Sequence, residues 1–483
     1  MIRNSHPQLN RFKTLPEFRA RLEELEIELP LDEHFLSAAE GSPLAQPIQI
    51  FGKTVGNRWA VHPMEGWDGT EKGEPTAHTL HRWRSFGRSG AKLIYGGEAV
   101  AVRPDGRANP HQLLICAEHQ KGFAELLGSL REIHIESHGT DRDLLVGLQL
   151  THSGRFSRPE PDGKPKPRIL YHHPILDRRV GIDPSDDEPV LQDEQIEELI
   201  VSYVRAAALA GEIGFDFVDI KHCHGYLGHE FLSARTRAGR YGGSLENRTR
   251  FLREIVEGIR REVPELPIAV RISAFDTVPF RADEEGRGTP EDFTHCLPYE
   301  FAFGVDRDNP LQTDLSETLE LIGMLDRLDI PLINLSCGSP YYSAHILRPA
   351  YFPPSDGYWP PRDPLIEVAR QIHTARTIHR RFPNRIHIGS GYSYLQQFLP
   401  LVAQAVVREN WISCVGIGRE VLCYPELPAD TLAGRGLQQT KLCRTFSDCS
   451  TGPRSGLISG CYPLDPYYKQ LPEAEIVKRL RTY

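Results

Sequence analysis

From about residue 55 onward, short apolar runs alternate with stretches whose apolar residues recur every three or four positions. The runs cover residues 58–64, 91–100, 144–150, 215–223, 266–273, 331–338, 385–391 and 411–419. Each is rich in Val, Ile, Leu and aromatic residues, the pattern of parallel strands covered on both faces. Between them, residues 193–211 place Ile196, Leu199, Ile200, Tyr203, Val204 and Ala207 on one helical face. Residues 244–262 open on Ser244 as an N-cap and run through Leu245, Phe251, Leu252, Ile255 and Ile259. Residues 364–379 and 395–407 behave similarly. Strands that alternate with helices eight times without a break predict an α/β fold, a (β/α)8 TIM barrel rather than a doubly wound open sheet. The long segments 151–192, 274–314 and 339–363 follow strands three, five and six. Loops in that position form the C-terminal mouth, where barrel enzymes keep their active sites.

Composition narrows the picture. A net charge of −9 over 483 residues argues against nucleic acid as a partner, which would require clustered Lys and Arg. No run approaches the ~20 apolar residues of a membrane helix, and residues 1–33 are charged, without the apolar segment of a secretory signal. Nine cysteines are too sparse for a disulfide framework. Cys116, Cys223, Cys296, Cys337, Cys414 and Cys423 are scattered, mostly among apolar neighbours, and read as reduced core residues. These features predict a cytoplasmic protein with a small-molecule substrate. They leave the oligomeric state open, a homo-oligomer included. Residues 1–47 form an extension in which 15–29 read as a charged amphipathic helix on the barrel exterior. Residues 48–430 form the barrel, and 431–483 a C-terminal tail.

The seventh run ends Gly389-Ser390-Gly391 and the eighth Gly416-Ile417-Gly418-Arg419. Glycine lets backbone amides approach a phosphate and arginine adds a cationic fork. Barrels commonly bind phosphorylated cofactors after strands seven and eight. Neither turn fits a dinucleotide-binding glycine fingerprint.

The fourth run leads through Lys221-His222-Cys223-His224-Gly225-Tyr226-Leu227 and Phe231-Leu232-Ser233 into Tyr241-Gly242-Gly243-Ser244 and Asn247-Arg248. His62-Pro63-Met64, Gly97–Val102, Gln149–Arg155 and Val270–Ser273 accompany it in order. Over residues 48–430 the chain resembles the old yellow enzyme group of NADH:flavin oxidoreductases, in its dienoyl-CoA reductase-like branch. The resemblance implies FMN as cofactor and NAD(P)H as electron donor. Pro63, Met64 and Ala99 then line the flavin ring, and Gln149 bonds its pyrimidine edge. Arg271 lies by N1, and Ser390, Gly391, Gly418 and Arg419 hold the phosphate. Lys221 and His224 occupy the positions that grip a substrate carbonyl, and Tyr226 that of the proton donor. The activity implied is reduction of an activated C=C bond. Amine dehydrogenation or demethylation is the alternative within the family, and a metal-dependent hydrolase using Lys221, His222, His224 and His62 the alternative outside it.

The chain departs from the group in three places. Lys221 stands where histidine is usual, which opens the site to an anionic substrate. Glu65 follows Met64 where relatives have Thr or Cys near the flavin carbonyl. The branch holds an iron–sulfur cluster on four spaced cysteines, but here five residues separate Cys443 from Cys449, eleven separate Cys449 from Cys461, and the first pair is missing. Four thiolates are the usual requirement, so no cluster is expected and no metal ligands are assigned. The chain also lacks the reductase module that follows the cluster in that branch, so electrons are expected from a diffusing donor.

Overall fold

The computed structural model describes residues 6–481. Eight parallel strands form a ring: Trp59–Val61, Leu93–Ile94 continuing as Ala99–Ala101, Leu145–Thr151, Phe217–His222, Ile268–Ser273, Leu332–Ser336, Ile386–Gly389 and Cys414–Ile417. The eighth pairs in parallel with the first, which closes the barrel. Helices lie between the strands, so the fold is the (β/α)8 TIM barrel that the apolar runs predict. Strand two is interrupted at Gly96 and Gly97. A Cβ at Gly96 would stand 2.8 Å from that of Pro63, so the chain needs glycine to pass this close to strand one.

Side chains alternate between the barrel interior and the helix layer. The lowest interior layer takes Ala60, Leu93, Leu145, Phe217, Ala269, Leu332, Ile388 and Cys414, one from each strand. Ile50 and Val55 join the same cluster from a hairpin, Ile48–Ile50 with Lys53–Val55, that plugs the N-terminal end. Its turn residues Phe51 and Gly52 have φ of 52° and 74°, the left-handed pair that suits a two-residue hairpin. The middle layer is polar, with Asn334 Oδ1 left without a hydrogen-bond partner. His62 Nδ1 meets the Asn334 amide at 3.1 Å, and the Tyr95 hydroxyl donates to Asp219 at 3.2 Å. Above it, Gln149, Lys221, Arg271, Ser336 and Ser390 rise toward the mouth.

Outside, the helices Asp193–Ile213 and Arg250–Glu262 pack together with Tyr203 edge-on to Phe251 at 5.6 Å. The N-terminal helix Leu15–Glu24, closed by a Thr14–Glu17 capping box, lies on the barrel wall. There Phe18 stacks on Phe398 at 4.1 Å and Arg21 pairs with Asp363 at 2.6 Å. The tail carries the helices Asp448–Arg454, Pro466–Lys469 and Glu473–Leu480. It is tied to the loop after strand one and the helix beyond, through Ser459 Oγ on the Trp67 amide at 3.0 Å and Tyr467 stacked on His81 at 4.0 Å. Among the described residues, no helix is long and apolar enough to cross a membrane.

Candidate active site

The upper layer of the barrel forms a floor that slopes from strand three to strand eight. Gln149 donates its amide to Asp219, which fixes its orientation. Burial pushes the Asp219 carboxyl up to about 7. Arg271 reaches the Pro63 carbonyl at 3.4 Å, and its Nε is buried without a hydrogen-bond partner. Next to strand eight the floor is open. A Cβ built on Gly418 would have Met64 Sδ, 3.9 Å away, as its only neighbour within contact range. Gly391, at φ 95°, has no such freedom, since a Cβ there would stand 3.1 Å from Gln371 in a backbone conformation that favours glycine. The Ser390 hydroxyl is spent on the Leu335 carbonyl at 2.6 Å, so its contribution to an anion site is confined to the main chain.

Arg419 donates to the Pro349 carbonyl at 2.6 Å and keeps Nη1 buried and unpartnered. Close to it lies Arg348, which donates to Ser450 Oγ and has a buried, unpartnered Nη2. Burial, then the neighbouring Arg454 and Arg419 cations, pull the Arg348 guanidinium down to about 10. Buried like charges with spare donors are costly unless an anion joins them. The pair therefore fits a phosphate. Arg348 belongs to no motif, and nothing in its local sequence distinguishes it from a surface arginine. Each charge-assisted bond contributes about 1.5–3 kcal/mol. Arg348→Ala and Arg419→Ala are thus each expected to raise the Kd for FMN roughly tenfold to a hundredfold, read from flavin fluorescence on release. Native retention in Arg348→Ala would remove it from the seat.

At the mouth of strand four, three side chains converge. Lys221 Nζ lies 3.2 Å from Glu65 and 3.7 Å above the Tyr226 ring. The Tyr226 hydroxyl donates to Glu65 at 2.9 Å and meets the Tyr341 hydroxyl at 2.8 Å. Since the Tyr226 proton points at Glu65, Tyr341 is the donor in the second bond. The Trp67 indole also donates to Glu65 at 2.9 Å, and Tyr341 is held by stacking on Phe156 at 4.0 Å. Burial, then Glu65, raise the Tyr226 phenol well above its ordinary value, so it stays protonated at neutral pH.

His224 takes a different direction. It sits at φ 69°, with its amide on Ser273 Oγ at 3.0 Å and Nε2 at 2.8 Å from Ser336 Oγ. Burial, then Arg271 and Lys221, hold its pKa well below the usual range, so the ring is neutral. His222 faces the helix layer with its ring 5.9 Å from Phe251, and His62 is engaged by Asn334 and Ser390. Lys221, His222, His224 and His62 therefore do not form a metal ligand set.

Asp219 also gives the apo-protein a pH dependence. A carboxyl raised in the folded state stabilises below its unfolded pKa and loses that contribution as pH rises through about 7. Asp219→Asn is expected to flatten the fall in stability between about pH 4 and about pH 7 in urea unfolding. An unchanged slope would mean that Asp219 is ionised throughout.

Residues 43–286 match the NADH:flavin oxidoreductase / NADH oxidase family. The chain belongs to this family. FMN is accordingly its cofactor. An NADPH dehydrogenase of Bacillus subtilis (strain 168) is 35% identical over 240 residues, 48% of this chain and 64% of that protein. The chain thus spans less than two thirds of the length of this curated relative. Two solved structures share the fold with a TM-score of 0.62 each, and both cover 88% of this chain. One is a 2-naphthoyl-CoA reductase in complex with 2-naphthoyl-CoA, 21% identical and covered over 57% of its length. The other is histamine dehydrogenase from Rhizobium sp. 4-9, 22% identical and covered over 52%.

Proposed function

We propose that this family member takes electrons from NAD(P)H and reduces the C=C bond of an α,β-unsaturated carbonyl compound that carries an anionic group. The observation that supports this most is the convergence of Lys221, Glu65 and Tyr226 above the flavin floor. Bound FMN supplies the two-electron chemistry. The protein's part is electrostatic and protonic. Lys221 offers N–H donors to a carbonyl oxygen as charge builds there, an effect worth about 3 kcal/mol in comparable sites. Tyr226 holds a proton for the α-carbon, and Tyr341 stands behind it to replace that proton.

The anionic group follows from the mouth. A cavity of about 550 Å³ opens beside Trp67, Phe156 and Tyr341. Of the arginines that line it, Arg179 and Arg281 are paired with Glu291 and Arg454 with Asp356, Arg348 belongs to the phosphate seat, and Arg158 has no carboxylate partner among the described residues. Aromatic walls with surplus guanidinium charge suit a flat acyl group with a carboxylate or phosphate. An enone carboxylate is expected to have a KM roughly tenfold below that of its methyl ester, a preference that Arg158→Ala reduces without changing kcat. Equal KM values would remove the anionic requirement.

Amine oxidation, the chemistry named by the histamine dehydrogenase likeness, has one feature in its favour: Glu65 would suit an ammonium group. The Lys221 cation 3.2 Å away neutralises that carboxylate, and alkene reduction is the better reading.

A further inference from the structure

The loop after strand six opens Gly338-Ser339-Pro340-Tyr341-Tyr342-Ser343. Its two tyrosines have different partners. Tyr341 meets the Tyr226 hydroxyl at 2.8 Å, whereas Tyr342 donates its hydroxyl at 2.6 Å to Asp276, in the loop after strand five. Main-chain bonds join the same two loops on either side. The Gly338 amide donates to the Phe275 carbonyl and the Phe280 amide to the Tyr342 carbonyl, both at 2.8 Å. Within the loop, the Ser343 hydroxyl accepts the Ser339 amide at 2.8 Å, and the Ser339 hydroxyl accepts the Tyr341 amide at 3.2 Å. Tyr341 is therefore presented from a segment that is tied down at every turn.

Tyr342 also touches the other half of the site. Gly225 has φ of 77°, and a Cβ there would stand 2.8 Å from the Tyr342 ring and 2.9 Å from its hydroxyl. The turn that presents Tyr226 thus rests directly on Tyr342. One phenol is chain neighbour to Tyr341 and support for Tyr226, and Asp276 holds that phenol in place. The Asp276 carboxyl is buried, and burial pushes it up to about 7. Among the described residues, no cation forms an ion pair with it. A buried acid without a counter-ion is costly to keep, and the side chain it grips lies between the two tyrosines that handle the proton.

We propose that Asp276 and Tyr342 are positioning residues for proton delivery: the bond between them sets the Tyr341 hydroxyl against the Gly225–Tyr226 turn, so that Tyr226 can give up its proton and take another from Tyr341. Tyr226 as the proton donor is the part of the proposed function on which this rests. In the step concerned, the Tyr226 O–H bond breaks as a C–H bond forms at the α-carbon. The Tyr341 proton moves to the Tyr226 oxygen, and water returns one to Tyr341. The electron pair comes from the nicotinamide donor through the cofactor. A misplacement of about 1 Å can cost a catalytic group about 10²-fold. Loss of the latch is therefore expected to slow alkene reduction by about tenfold to a hundredfold and to leave flavin reduction unchanged.

The test uses the full chain with its FMN in anaerobic stopped flow, with NADPH as reductant and β-acetylacrylate, an enone carboxylate, as oxidant. Tyr342→Phe, which keeps the ring against Gly225, should be reduced at the native rate and reoxidised at least tenfold more slowly. Asp276→Ala should do the same. Asp276→Asn, which keeps an oxygen to accept the Tyr342 hydroxyl, should recover most of the rate. In a Tyr226→Phe background, Tyr342→Phe should add no further loss, because the proton it helps to deliver is already gone. FMN content checks folding, and if Asp276→Ala does not fold, Tyr342→Phe and its combination with Tyr226→Phe carry the test. Native reoxidation of Tyr342→Phe while Tyr226→Phe is slow would overturn the proposal and leave the proton donor in place. Equal slowing of both half-reactions, or losses that add fully to those of Tyr226→Phe, would overturn it in favour of a general structural role. Native reoxidation of Tyr226→Phe itself would overturn both this proposal and the reading on which it rests.

Discussion

Tyr226→Phe is expected to be reduced by the nicotinamide donor at near the native rate and reoxidised by an enone about 10² to 10⁴ times more slowly, the range general acids supply. The split follows from the geometry. The Tyr226 hydroxyl sits between Glu65 and Tyr341 and is buried among groups that keep it protonated. Flavin reduction uses no proton from it, whereas saturation of the alkene does. Tyr341→Phe should show a smaller loss in the same half-reaction, because Tyr341 acts only through Tyr226. Anaerobic stopped-flow measurement of the two half-reactions separates the cases. Native reoxidation of Tyr226→Phe would assign the proton to another donor.

The second large effect concerns Lys221 and Glu65, whose side chains are only 3% and 10% exposed. Removing one member of a buried ion pair strands the other, at a cost of about 3–5 kcal/mol, whereas removing both is often nearly neutral. Lys221→Met and Glu65→Gln should therefore each destabilise the protein by about 3 kcal/mol. The double variant should lose far less than their sum, which leaves an interaction energy of up to about 3 kcal/mol. Urea unfolding at saturating FMN measures all four corners of the cycle. Additive losses would show that the two residues do not depend on one another. Coupled losses would explain why the chain tolerates a glutamate beside the flavin: the carboxylate arrives with its own counter-ion.

That coupling also marks how far the sequence could be read. Lysine in place of histidine, and glutamate after Met64, are both visible as separate departures. Their partners are 156 residues apart, and no local pattern links them. Only closure of the barrel brings strand one beside strand four's mouth. The eight strands were legible because covered parallel strands leave unbroken apolar runs. The plugging hairpin was not, because its strands are three residues long and its Phe51-Gly52 turn lacks the usual Asn-Gly signal. The N-terminal helix ends at Glu24, short of the predicted residue 29, because Glu26 turns left-handed at φ 54° and breaks the helical path. Cys423 is buried and free, as its apolar neighbours suggest, while the approach of the tail to its helix leaves no periodic trace in the sequence. Lys221 and Tyr226 converge as their motif suggests, while the bond from His224 to Ser336 is a tertiary detail that the same motif does not contain.

The most direct measurement is a single turnover of the native holoenzyme. The chain purified with FMN is reduced anaerobically by NADPH or NADH and mixed with an enone carboxylate, and the oxidised chain is mixed separately with a primary amine. The flavin absorbance is followed while the organic product is identified. Rapid return of oxidised flavin with the saturated ketone, and no reduction of the oxidised enzyme by the amine, is the expected result. Reduced enzyme that no activated alkene reoxidises, together with oxidised enzyme that an amine bleaches, would contradict it and make amine oxidation the function of this site.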